Sequence, residues 1–190
     1  MENESIKDKI IHHSLRLFDE KGYHGTTTRD ICEAVGCKMP TVYYHFKNKE
    51  DLFYQIAVAR FIEIVSRLES ELPKGMSLLD TYTQRLINKK SLAEDEKRTY
   101  RLALKTWLGF EGCEASREKL FEWEQAAYQK AYEDCKKEIF SYQWVKFFIR
   151  SWTNMVQRIM LLNEDISDEE IRAEIEMIIA VATQSNKDSY

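Results

Sequence analysis

Residues 26–49 read TTTRDICEAVGCKMPTVYYHFKNK, and this stretch decides the fold. Thr27 is placed to cap a first short helix, with Asp30 three residues on as the reciprocal partner. Ile31, Ala34 and Val35 give that helix its inward face. Gly36 supplies the left-handed backbone that ends it, and a second helix starts about two residues later. Val42 and Phe46, four apart, share the inward face of that second helix, so Thr41, Tyr44 and His45 point elsewhere. Residues 38–49 hold Lys38, Lys47 and Lys49 and no carboxylate. Hydroxyls, amides and cations on a short exposed helix suit phosphate oxygens and base edges. Helix, Gly turn, helix is the arrangement whose second member docks in the major groove of duplex DNA.

From about Ile6 to Leu52 the chain closely resembles the DNA-binding domain of the TetR (tetracycline-repressor-like) family of transcription regulators. The resemblance rests on FDEKGYHGTT at the end of the first helix, on Ile31, Ala34 and Gly36, and on the run Pro40–Lys49. It implies that Tyr43, His45 and Lys49 hold the DNA backbone. It likewise implies that Thr28, Arg29, Lys38, Pro40, Thr41 and Tyr44 lie at the front of the two helices, near bases and phosphates. Position 38 departs from the family pattern: a small capping hydroxyl is common there, and lysine stands here. The second helix is then less well capped, and its lysine is free to reach a phosphate or a guanine edge.

Composition points to helices throughout. There are two prolines and six glycines in 190 residues, and residues that favour helices are plentiful. Nothing alternates with period two for long enough to make a strand. The expected class is all-α, with about nine helices. A helix-turn-helix domain is expected over residues 1–48 and a helical effector-binding and dimerisation domain over 49–190. Net charge is −4, so the basic character is confined to the head while acids gather later.

Start signals recur along the chain: Ser5 with Asp8, Asn48 with Asp51, Ser77 with Asp80, Ser91 with Glu94, and Ser167 with Glu170. The fourth helix should continue to Pro73-Lys74-Gly75 and so belong to both halves. Ile6, Ile10, Leu17 and Phe18 mark the inner stripe of the first helix.

The eighth and ninth helices carry more apolar positions than one buried face needs. The resemblance implies that they pair with their symmetry mates as a four-helix bundle in a homodimer. Phe147 and Met155 on the eighth, and Ile171, Ile175, Ile178, Ile179 and Ala182 on the ninth, fit that interface. The later half is also rich in large rings. Trp107, Phe110, Trp123, Tyr128, Phe148 and Trp152 are the candidates for lining a pocket between helices, where the resemblance implies a small, mainly apolar effector. The acids nearby in sequence, Glu111, Glu114, Glu118, Glu122 and Glu124, read as solvated faces, with a charged lining for a cationic aromatic effector as their other reading.

Several function classes are poorly served. The four histidines stand at positions 12, 13, 24 and 45, none with a second His or a Cys at i, i+4, and no Glu-x-x-His occurs. No phosphate-cradling Gly-rich loop is present. No catalytic residue, metal or cofactor is therefore expected, and the chain is not expected to be an enzyme. The polar N-terminus and the lack of an apolar run of about 18 residues predict a cytoplasmic protein without a membrane anchor. Its four cysteines should stay reduced. Cys32 and Cys37 read as small apolar residues, with redox or metal sensing as their other reading. The expected partners are a near-palindromic duplex operator, a small effector and a second copy of the chain. The rival reading is a helical adaptor that keeps the fold without binding DNA, and such a protein has no use for an acid-free, lysine-bearing stretch at 38–49.

Overall fold

The computed structural model describes residues 5–135 and 141–187, with side chains placed through Glu133 and over 141–181. Nine helices and no strand are found among the described residues. They are α1 (Ile6–Gly25), α2 (Thr28–Val35), α3 (Met39–His45), α4, α5 (Leu78–Lys90), α6 (Glu94–Trp107), α7 (Glu114–Cys135), α8 (Tyr142–Leu161) and α9 (Asp168–Lys187). Helix α4 is one rod in three stretches: Lys49–Tyr54, a π-helical turn at Gln55–Ala59, and Arg60–Ser70. Ordinary helical spacing turns successive side chains by about 100°. The wider turn lets the consecutive residues Ile56, Ala57 and Val58 all be buried.

The described chain forms two compact units. The first runs to Val65 and adds Ala93–Phe121; the second takes Ser66–Leu92 and everything from Glu122. The first unit is therefore more than the three head helices, because α6 packs against α1 and against the π-turn of α4. Its core joins Ile10, Leu15 and Phe18 of α1 to Ile31, Val42 and Phe53, with Leu102 contributed by α6. Ile6, expected inside, is on the outer side of α1, and Leu15 takes the inner place.

A polar clamp lies on the same α1–α6 contact. Asp19 accepts from Arg101 Nη2 at 3.0 Å, with Lys105 Nζ at 3.6 Å and Arg98 Nε at 3.7 Å. The three cations sit at i, i+3 and i+7, on one face of α6. Burial pulls the Arg101 guanidinium down, but its bonds to Asp19 and Glu94 raise it on balance. Two turns back along α1, His12 Nδ1 lies 2.7 Å from Asp95.

In the second unit, α9 packs on α5, with Arg172 bonded to Asp80 at 2.6 Å and Lys90 to Asp168 at 2.9 Å. Ile171 and Ile175 are fully buried there. They serve the core of the single chain rather than an outer seam, because their spacing puts them on the side of α9 that α5 covers. Met155 is likewise 2% exposed and belongs to that core. Ile178 and Ile179 are half-buried, and Ala182 lies outside the described side chains. The start of α6 also differs from expectation. Glu96 accepts the N–H of Ala93, while the Ser91 hydroxyl turns back to the Ile87 carbonyl and ends α5. A serine two residues before a helix can close the preceding one, and spacing alone does not separate the two roles.

Removing the Asp19 carboxylate would leave three cations, two of them mostly buried, with one acceptor fewer. Asp19→Ala should cost about 2–3 kcal/mol in urea unfolding, since breaking a largely buried pair strands its partner. Glu71→Ala removes an exposed i, i+4 pair with Arg67 and should cost under about 0.5 kcal/mol. Equal losses in the two variants would rule out the clamp as a stabilising feature.

Candidate nucleic-acid interface

The two short helices of the head are held by local chemistry. Thr27 Oγ1 accepts the N–H of Asp30 at 3.1 Å, and Asp30 Oδ2 accepts the N–H and hydroxyl of Thr27, each at 2.7 Å. Hydrogen bonding by Thr27 holds the Asp30 carboxyl below its ordinary value. Gly36 has φ 73° and ψ 35°, the left-handed conformation that ends α2. The N–H groups of Gly36 and Cys37 both reach the Cys32 carbonyl, at 2.9 and 3.0 Å.

Helix α3 starts after Lys38, which makes no side-chain cap, and carries Pro40 in its first turn. Val42 and Phe46 are each 2% exposed and pin α3 to the core. The opposite side is open: Tyr44 is 84% exposed, Tyr43 47% and Met39 41%. Lys38 and Pro40 are exposed beside them, and Thr41 and His45 are half-buried at the edges. The His45 ring stands edge-on to Tyr44, 4.9 Å between centroids. On α2, Arg29 is exposed and Thr28 half-buried. Met39 was not singled out from sequence, and its apolar type gave no signal, yet it lies on the same open surface.

Lys49, expected at the DNA backbone, is also engaged within the head. Its ammonium donates to the carbonyls of Tyr23 at 2.9 Å and Thr26 at 3.1 Å, and lies 4.1 Å from the centre of the Tyr23 ring. The end of α1 offers carbonyls and the negative pole of its dipole, and a cation four residues past α3 is within reach of both. Two of its three N–H bonds are thus spent inside the head.

Residues 10–56 match the model of bacterial regulatory proteins, tetR family. Over its head, then, the chain is similar to the tetR family. Over 48 residues the chain is 50% identical to the biofilm operon icaADBC HTH-type negative transcriptional regulator IcaR of Staphylococcus epidermidis. Those residues are 25% of this chain and 26% of that protein, so the match spans about a quarter of the curated relatives' length. Beyond the head the likeness is one of fold. A transcriptional regulator (TerR/AcrR family) from Aquifex aeolicus VF5 superimposes with TM-score 0.70 at 20% identity, covering 93% of this chain and 99% of that one. A bacterial regulatory protein in the tetR family from Rhodococcus RHA1 gives 0.71 at 14% identity, covering 95% and 98%.

Outside the head, the expected ring set divides between the units. Trp107 is half-buried and Phe110 is 76% exposed, both in the first unit. Trp123, Tyr128, Phe148 and Trp152 belong to the second. Phe148 is a core ring with 0% exposure, stacked on Trp144 at 5.1 Å and edge-on to Tyr82 at 4.6 Å. Trp152 donates its indole N–H to the Tyr82 carbonyl at 3.1 Å. Trp123 and Tyr128 are half-buried, and burial with Glu124 nearby pushes the Tyr128 phenol up. Glu111 is not a solvated acid: it accepts the Tyr23 N–H at 3.0 Å within the first unit. Among the described residues, no cluster of three or more His, Cys, Asp or Glu could hold a metal ion. No described helix is long and apolar enough to cross a membrane.

Sequence reading missed Lys89, which is 3% exposed. Its ammonium bonds the Arg85 carbonyl at 3.3 Å and lies 4.7 Å from the centre of the Trp152 ring. Arg85 itself pairs with Glu69. Burial lowers the Lys89 amine to about 7, with Glu69 opposing and Arg85 adding to the fall. An unfolded lysine titrates near 10.4, so between pH 7 and about 10 the unfolded chain binds more protons than the folded one. Stability should therefore rise with pH across that window and be lowest below it. Lys89→Met should abolish this rise and leave the protein at least as stable at pH 7, measured by chemical denaturation at several pH values. An unchanged slope in the variant would assign the dependence to another group.

Proposed function

We propose that the chain is a homodimeric transcription repressor that binds a near-palindromic DNA operator and is released by a small, mainly apolar effector. The observation that carries this reading is the open face of α3. Lys38, Pro40, Tyr43 and Tyr44 are exposed on it, Thr41 flanks them, and no carboxylate occurs from residue 38 to 49. The repressor sense is supported by the relative's description as a negative transcriptional regulator. Two heads in successive major grooves would need half-sites about one helical turn apart, ~34–36 Å, or a multiple of it.

Dimerisation through α8 and α9 is supported by what those helices leave uncovered. Phe147 is 53% exposed, Leu162 67%, Met177 69% and Val181 53%. Large apolar side chains left exposed along these two elements favour burial against a second copy. The rings of the second unit are the source of apolar surface for an effector. Action on an operator places the protein in the cytoplasm.

If a dimer neutralises six to eight phosphates, its affinity should fall by about 10³-fold or more between 50 and 200 mM salt. Tyr43→Ala should weaken all duplexes alike by about 1 kcal/mol. Lys38→Ala or Thr41→Ala should relax preference at one base pair by about 1–3 kcal/mol. Gel-shift titrations against the DNA upstream of the gene and its neighbours would measure both effects, and a flat salt profile would favour the adaptor.

Met177→Glu tests the dimer separately. The side chain is mostly exposed in the single chain, so a carboxylate there costs the protomer little. At a dimer interface it would be buried at a cost of several kcal/mol. The variant should sediment as a folded monomer with weaker operator binding, and an unaltered dimer would place the interface elsewhere.

A further inference from the structure

Cys32, in α2, and Cys37, in the turn that follows it, are residues that the DNA-binding reading leaves without a role. Both are free thiols. Cys32 is 8% exposed and part of the head core, while Cys37 is half-buried and packs against that core from the turn. The left-handed Gly36 folds the chain back, so that the Cys37 N–H meets the Cys32 carbonyl at 3.0 Å. In this kind of helix ending, the side chains of the two residues so joined come into contact. The Cys37 side chain is close enough to Cys32 to help push its thiol up. A disulfide needs α-carbons about 4.4–6.8 Å apart and β-carbons that face each other, and the 3.0 Å backbone bond from Cys37 to Cys32 sets the two residues side by side.

We infer that Cys32 and Cys37 form a reversible oxidation site: a hydroperoxide converts them to an intrahelix-turn disulfide that re-aims α3 and releases DNA. The inference rests on the DNA-binding reading for its consequence, but not for its chemistry. Cys37, the more accessible of the two, attacks the peroxide as thiolate; its S–O bond forms as the O–O bond breaks, giving a sulfenic acid and an alcohol or water. The Cys32 thiol then attacks that sulfur, loses its proton and expels water. Two thiols and one hydroperoxide thus become one disulfide, one water and one alcohol or second water. Burial and the neighbouring Cys37 hold the Cys32 thiol above its ordinary value, which suits it to the resolving step rather than the first attack.

The effect on DNA follows from position. The S–S bond, about 2.05 Å, is much shorter than any thiol–thiol hydrogen bond, so closing it draws Cys37 toward α2. The next residue is Lys38, where α3 begins without a side-chain cap. The start of α3 is therefore its least anchored part, and it carries Lys38, Pro40 and Thr41 toward the groove.

The chain is treated with hydrogen peroxide, quenched with an alkylating agent and digested with trypsin. Both thiols fall in one peptide, Asp30–Lys38, because cleavage follows Arg29 and Lys38. That peptide should lose two hydrogens and resist alkylation until dithiothreitol is added. Operator affinity should fall at least tenfold on oxidation and recover on reduction. Cys37→Ser should bind DNA as the untreated protein does and ignore peroxide, whereas Cys113→Ser should keep the response. Overoxidation of Cys37 alone, or bridging to another cysteine, overturns the site. A disulfide in the peptide with unaltered affinity overturns its link to DNA release. If the reduced chain binds no duplex at all, the DNA-binding reading fails, and the peptide result still decides the oxidation chemistry.

Discussion

The carbonyl of Tyr23 accepts the Lys49 ammonium while its N–H is given to the Glu111 carboxylate, so three distant stretches of the first unit meet at one residue. The ring of Tyr23 adds a third hold, lying 4.9 Å from Phe53 and 6.1 Å from Phe18. This fixes where α1 ends and where α4 begins, and α2 and α3 are slung between those two points. Their own caps and the Gly36 turn give them shape, but seven or eight residues of helix are marginal alone. The open face of α3 is therefore presented by a frame rather than by its own stability. That frame includes Glu111 and α6, which lie far along the chain from the head.

The head was legible because its determinants are local. Thr27 with Asp30, Asn48 with Asp51, and Ser167 with Glu170 each act within one turn, and all three make the expected bonds. The inward pair Val42 and Phe46 follows from spacing alone. What escaped the sequence was partnership between distant elements. Periodicity shows that α9 has an apolar face, but not whether α5 or a second copy covers it, and α5 took Ile171 and Ile175. Lys49 looks like a phosphate ligand from its neighbours, and only the return of α1 gives it two carbonyls. Lys89 offers no signal because lysine is so rarely buried. Phe148 was read as a pocket ring, and its place in the core against Tyr82 and Trp144 comes from how α5 and α8 meet.

Regulation of the head can be weighed against these contacts. Weakening DNA binding 100-fold requires an effector to favour the non-binding state by about 2.7 kcal/mol. One hydrogen bond to a charged group is worth about 1.5–3 kcal/mol. The first unit has two such contacts at its margin, Glu111 to the Tyr23 N–H and Arg101 to Asp19. Both reach the head from α6 or the residues just after it, so a small displacement of that helix would strain them directly. Losing or distorting one or two is energetically sufficient, without unfolding α2 or α3. Core packing could not be tuned so finely, since opening the Phe18–Phe53–Tyr23 contact would forfeit burial well beyond the required amount. Under the proposed function, control through polar bonds at the rim, with the apolar core left intact, is the arrangement in which a modest difference in ligand affinity between two states has a large effect on DNA.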